Sequence, residues 1–180
     1  MSDHSCGLAT ADRLAARDCA NLAERLRTAT AEIHRLAPLV SSRMSGEQAK
    51  DWSAIEVLAH MAMLSAYFTT TALKAAAGQD VKGDLLEQIR ARDLITPEFA
   101  RLPALHLAEL ADTYLARAIG FLETPEPVAL ARLIQVADDW YLSVVEVIRL
   151  GVCAHLEMHL EQLRAAMERE GAVMSAAREI

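Results

Sequence analysis

Aromatic side chains are scarce in this chain, at 4% of 180 residues, although 53% of its residues are hydrophobic. Alanine and leucine carry most of the apolar content, and glycine and proline number only seven and five. With strand-favouring side chains thin and helix breakers few, the composition predicts helices rather than sheets. The three cysteines, Cys6, Cys19 and Cys153, are widely spaced and form no C-x-x-C pair. That count and spacing argue against a disulfide framework and for reduced thiols in a cytoplasmic protein. No run of Lys or Arg interrupts a formal charge of −7, which argues against a nucleic-acid surface. The polar start, Met1 to Cys6, lacks the charged and apolar regions of a signal peptide. No long hydrophobic run is present either. The most apolar stretch, Val57 to Leu73, contains His60, Ser65 and Thr69 to Thr71, and Glu56 and Lys74 flank it. A membrane span needs about 20 mostly apolar residues, so a buried helix is expected here and no membrane partner.

The length favours one domain over residues 1–180, with its core over about residues 10–170. A first helix is predicted from about Thr10 to Leu36, with Leu14, Leu22, Leu26, Ile33 and Leu36 as its apolar stripe. Pro38 lies near its end, and the polar Gly46-containing segment from Ser41 to Asp51 reads as a connection. Ser53-Ala-Ile-Glu56 matches a capping box and opens a second helix, with Trp52 placed to staple its first turn. That helix continues to about Ala77, and Gly78 supplies its stop. It is apolar around most of its circumference and should be largely buried. A short helix over Asp84 to Arg92 and a long one over Ala104 to Leu122, with Leu105, Leu110, Leu115 and Ile119 apolar, are expected next. Thr124-Pro-Glu-Pro127 ends the long one, and Val128 to Val136 is expected as a further helical turn. The capping box Ser143-Val-Val-Glu146 opens the last helix, expected to run to Glu170, with Gly171 as its end and 172–180 as a loosely packed tail. Four long helices with short helical connections predict an all-α four-helix bundle.

His155 and His159 are the most informative pair in the chain. On a helix, residues four apart have Cβ atoms about 6 Å apart on one face. Two imidazoles so placed converge on a metal ion at bond lengths of about 2.0–2.1 Å. The apolar residues Val152, Leu156, Leu160 and Leu163 around them place the pair near a core, where neutral imidazoles need partners. The motif is not H-E-x-x-H. Glu157 follows His155 by two residues and points about 200° away, which removes the general base of a zincin-type protease. Cys153 is turned away by the same argument. His60, on the apolar second helix, is the candidate third ligand. His4, His34 and His106 are expected to be exposed or hydrogen-bonded histidines without such a role. Glu56 either caps its helix or approaches the site, Tyr67 either lines a pocket or packs in the core, and Gln162 either supports His159 or is an exposed amide. Asp138, Asp139 and Trp140 are expected to lead into the last helix. No Ser-His-Asp spacing and no Gly-rich phosphate loop is evident.

The segment Trp52-Ser-Ala-Ile-Glu-Val-Leu-Ala-His60 resembles the start of the second helix of the DinB/YfiT-like metalloenzyme superfamily. His155-Leu-Glu-Met-His-Leu-Glu-Gln162 resembles the last metal-binding helix of that superfamily, and the order of the two segments agrees. The resemblance spans roughly residues 10 to 170. It implies a four-helix bundle holding a divalent metal (zinc, nickel or iron) on His60, His155 and His159, with open coordination positions. It further implies thiol-dependent S-transfer from a low-molecular-weight thiol to a small electrophilic substrate, and a homodimer. A hydrolase using metal-bound water needs the same ligands without the thiol, and a non-catalytic metal- or partner-binding stress protein needs the ligands alone. The residues do not decide among these three.

Overall fold

The computed structural model describes residues 4–44, 51–81, 85–93, 96–124 and 126–178, and the side chains among them except those of 4–14, 88, 91–93 and 172–178. The described chain is mostly helical, with one small antiparallel sheet. Its elements are α1 (His4–Leu36), a 3₁₀ turn (Ala37–Leu39), α2 (Ala54–Ala76), α3 (Leu85–Asp93), α4 (Thr96–Phe99), α5 (Ala104–Glu123) and α6 (Pro127–Leu130). Strands β1 (Leu133–Ala137) and β2 (Trp140–Ser143) follow, and then α7 (Val144–Val147), a π-helical segment (Ile148–Ala154) and α8 (His155–Arg178).

Helix α2 lies at the centre. It packs on α5, on α8 and on the π-helical segment, while α1 closes the other side against α5 and α8. Every residue from Ala54 to Ser65 is buried, so α2 has no solvent face over its first three turns. The buried stripe of α1 is Cys19, Leu22, Leu26, Ala29, Ile33 and Leu36, the three-four alternation of a helix facing a core. On α5 the buried set is Leu107, Ala108, Ala111, Leu115, Ala118 and Leu122. Alanines carry half of that face and allow α2 and α5 to approach closely. Leu105, expected on the apolar face, is 55% exposed, and Leu110 and Ile119 are only partly buried.

The ends of α2 are built by distinct groups. At its N-terminus the carboxylate of Glu56 accepts both the backbone N–H and the hydroxyl of Ser53, each at 2.8 Å. Glu170, from α8, accepts the N–H of Ala54 at 2.8 Å. At its C-terminus Gly78 adopts φ +81°, the left-handed conformation that glycine tolerates. Gly78 N–H donates to the Ala75 carbonyl at 2.8 Å and Gln79 N–H to that of Lys74 at 3.0 Å, the two bonds of a Schellman cap. The guanidinium of Arg132 also donates to the Ala75 and Ala76 carbonyls.

The structure differs from the sequence reading at four places. Residues 128–136 do not form one helical turn: α6 ends at Leu130 and β1 begins at Leu133. Ile134 and Val136 alternate into the core from β1, a period of two that only a strand provides. The antiparallel partner β2 includes Trp140, so Asp138 and Asp139 form the turn of a hairpin rather than the approach to a helix. Finally, the last helix does not stop at Gly171. Its backbone remains helical to Arg178, and a Cβ at Gly171 would meet nothing within 4 Å. Helix α1 likewise starts at His4 rather than near Thr10. Residues 45–50 of the expected connection, Asp84, Pro125 and residues 179–180 lie outside the described residues.

The capping box at Ser143 is formed, with Ser143 N–H donating to Glu146 at 2.7 Å. From there the helical path is continuous to Arg178 but widens to π geometry at Ile148–Ala154. Gly151 is required inside this wide segment. A Cβ at that position would lie 2.5 Å from Cδ1 and 2.8 Å from Cγ of the buried Phe68 ring. Gly151→Ala is expected to destabilise the fold by about 1–3 kcal/mol, the usual cost of overpacking. Gly171→Ala, in open helix, is expected to gain up to about 1 kcal/mol. Urea unfolding of both variants checks the pair, and wild-type stability for Gly151→Ala would show that Phe68 yields without cost.

Candidate metal centre

Two helices bring three imidazoles together. His60 lies in the buried first half of α2 and is 4% exposed. His155 and His159 lie one turn apart at the start of α8, where the helix leaves the π-helical segment. The His60 ring centroid is 5.5 Å from that of His155 and 4.6 Å from that of His159, and the latter two are 4.5 Å apart. One ring nitrogen from each histidine lies within 4.8 Å of the other two. Tetrahedral coordination at about 2.05 Å sets nitrogens about 3.3 Å apart. Closing the widest pair by about 1.5 Å is within the reach of side-chain rotation, so the three histidines could hold a metal ion.

Each ring is oriented by a different neighbour. Nδ1 of His159 faces Oε1 of Gln162 at 2.7 Å. This pairing puts the ring hydrogen on Nδ1, where it donates to the amide oxygen, and leaves the lone pair on Nε2, an atom sealed from solvent. The ring of His155 donates to the backbone carbonyl of Gly151, inside the wide turn. Phe68, which fills the space that Gly151 leaves, stands edge-on to His155 with centroids 5.9 Å apart. Trp52 packs on His60 at 4.7 Å.

Burial also sets the charge of the site. Desolvation, with the neighbouring imidazoles His159 and His155 adding to it, lowers the pKa of His60 to about 3. Desolvation and His159 lower that of His155 to about 4, against the opposing bond to Gly151. Both rings are therefore neutral at pH 7, the state in which imidazole donates a lone pair to a metal. The rings face a cavity of about 420 Å³ whose walls also include Asp51, Trp52, Ile89 and Gln162.

The remaining candidates lie elsewhere. Glu157 is held on the α1 side by Arg25, through two hydrogen bonds of 2.7 Å. Cys153 is buried with its sulfur 3.8 Å from the Leu22 carbonyl, and burial pushes its thiol up to about 12. Glu56 serves as the α2 cap. Tyr67 packs on the core beside Phe68 and is not among the walls of the site cavity. His34 and His106 are exposed, near Asp112 and Glu109, and the His4 side chain lies outside the described residues. Of the two readings of Gln162, support of His159 holds: the side chain is half-buried and bonded to His159. Its spacing of three from His159 was the available signal. Trp52 was placed only as a staple, and no spacing rule carries it eight residues forward to His60. Neither protein-family models, nor curated proteins, nor solved structures yield a match to this chain.

The buried imidazoles make acid stability a direct readout. In the unfolded chain a histidine protonates below about pH 6.5. In the folded chain His155 and His60 stay neutral until about pH 4 and about pH 3. Between these limits the unfolded state binds more protons, so stability falls as pH falls. The metal-free chain is expected to lose up to about 1.4 kcal/mol per pH unit per histidine across that window. Urea unfolding at pH 7, 6 and 5 measures the slope, and His60→Leu is expected to reduce it. An unchanged slope in the variant would remove His60 from the account.

Proposed function

We propose that this chain is a metal-dependent enzyme whose metal sits on His60, His155 and His159, and that its reaction is thiol-dependent S-transfer to a small electrophile. The observation that carries the reading is the convergence of three imidazoles, from two separate helices, on one cavity. Structural histidines have no need to meet at ligand distance, and each of these has an orienting contact besides. The resemblance of Trp52–His60 and His155–Gln162 to the DinB/YfiT-like superfamily supports the same ligand set, and pairing of two copies in the cytoplasm belongs to the same reading.

Three imidazole ligands suit zinc, nickel or iron, and a metal with open positions lowers the pKa of a bound thiol or water. The protein contributes the rest. His60 enters from α2 and the pair from α8, so the ligands are held by rigid elements. Gln162 fixes the ring of His159, and the Gly151 carbonyl fixes that of His155. Trp52 and Ile89 give the cavity its apolar walls.

Elemental analysis is expected to find about one metal ion per purified wild-type chain, and His60→Ala, His155→Ala and His159→Ala are each expected to lose most of it. Equal content in all four proteins would sink the centre. Gln162→Leu is expected to weaken metal affinity about 10–100-fold, as removal of a ligand's hydrogen-bond partner does elsewhere. Competition with a chromogenic chelator measures it, and unchanged affinity would assign Gln162 no part. The metal-loaded chain is then expected to consume a model electrophile only with added low-molecular-weight thiol. Ester hydrolysis without thiol would redirect the reading to a hydrolase.

A further inference from the structure

Trp52 borders more than the cavity of the three histidines. Asp51 and Trp52 line it and also line a second cavity of about 200 Å³, whose other walls include Arg43, Ser53, Arg169 and Glu170. A molecule lying across Trp52 would reach both.

The charges in that second cavity are unevenly committed. Arg25, Arg27, Arg35, Arg149 and Arg164 face carboxylates, and Arg132 covers the end of α2. Arg43 and Arg169, both exposed, form no ion pair among the described residues, as is also true of Arg17, Arg101 and Arg117. The guanidinium of Arg169 donates to the Trp52 carbonyl at 3.4 Å, which places it beside a residue that lines both cavities. Of the two carboxylates in the same walls, Glu170 is turned to the Ala54 N–H, and Asp51 stands at the shared edge. Four arginines also line the cavity between α1 and α8, but each of those faces a carboxylate, whereas Arg43 and Arg169 pair with none among the described residues.

We propose that the second cavity is an anion subsite, taking a carboxylate of the small molecule whose other end reaches the three histidines. Guanidinium pairs with carboxylate through parallel charge-assisted hydrogen bonds. The small volume suits a carboxylate on a short aliphatic stem. Only the role of the other end rests on the metal-centre reading. Arg43 and Arg169 select the charged substrate and orient it, and Trp52 supplies the surface along which it lies.

Calorimetric titration with glutarate and with its dimethyl ester tests the subsite. The full chain is used as purified and after zinc loading, beside R43Q, R169Q and their double variant, with the exposed R117Q as a control for net charge. Glutarate is expected to bind at least about tenfold tighter than the ester. The double variant is expected to lose that preference with its zinc content unchanged, and R117Q to keep it. Equal binding of acid and ester, no binding of glutarate, or an intact preference in the double variant would overturn the subsite. An arginine-dependent preference in a chain that takes up no metal would uphold it while the metal centre fails.

Discussion

The desolvation of His60 is the constraint on which the rest of this structure depends. An imidazole placed in a helix with no solvent face cannot ionise near neutral pH, and it needs polar company in a core otherwise made of Leu, Ala, Ile and Val. Two further imidazoles stand beside it, with ring centroids 5.5 and 4.6 Å away. A carboxylate beside His60 would favour the charged ring, whereas imidazole neighbours disfavour it and keep lone pairs available. The same burial that makes the cluster costly in acid makes it competent for a metal at neutral pH.

Support of the cluster is divided among contacts of different kinds. A side-chain amide fixes one ring, a backbone carbonyl a second, and an indole packs on the third. The wide turn in front of α8 links two of these functions. Gly151 supplies the carbonyl to His155, and its missing side chain admits Phe68 against the same ring. π-Helical turns occur often at functional sites, and here the reason is local and steric.

Much of this was legible in the sequence, because it depends on periodicity and on local hydrogen bonding. The capping boxes at Ser53 and Ser143, the stop at Gly78, the burial of α2 and the shared face of His155 and His159 follow from residues a few positions apart, or from faces fixed by a 3.6-residue period, whereas the joining of His60 to that pair was carried by the resemblance of their two segments. The hairpin was missed because Leu133 to Ala137 is too short for an alternating pattern to compete with the helical composition around it. Leu105 was misplaced because large side chains were taken to define the stripe of α5, when the close approach to α2 favours Ala108, Ala111 and Ala118. Gly171 was read as an end because glycine often follows helices, but φ at that position stays helical where nothing requires a turn. Trp52 and the walls around Arg43 and Arg169 join residues more than 100 positions apart, and no local rule connects them.

The two end contacts of α2 have a mechanical consequence. A helix buried on all sides over its first three turns is held by packing, and here its two ends are held by polar contacts as well. Glu170 holds the first turn of α2 from α8, the helix that also carries two of the histidines, and Arg132 holds the last turn from the start of the hairpin. A slip of one residue would carry His60 about 1.5 Å along the axis, as far as the triad must close around a metal. The two contacts act as end stops, so the height of one ring relative to the other two is set at the ends of the helix, away from the site itself.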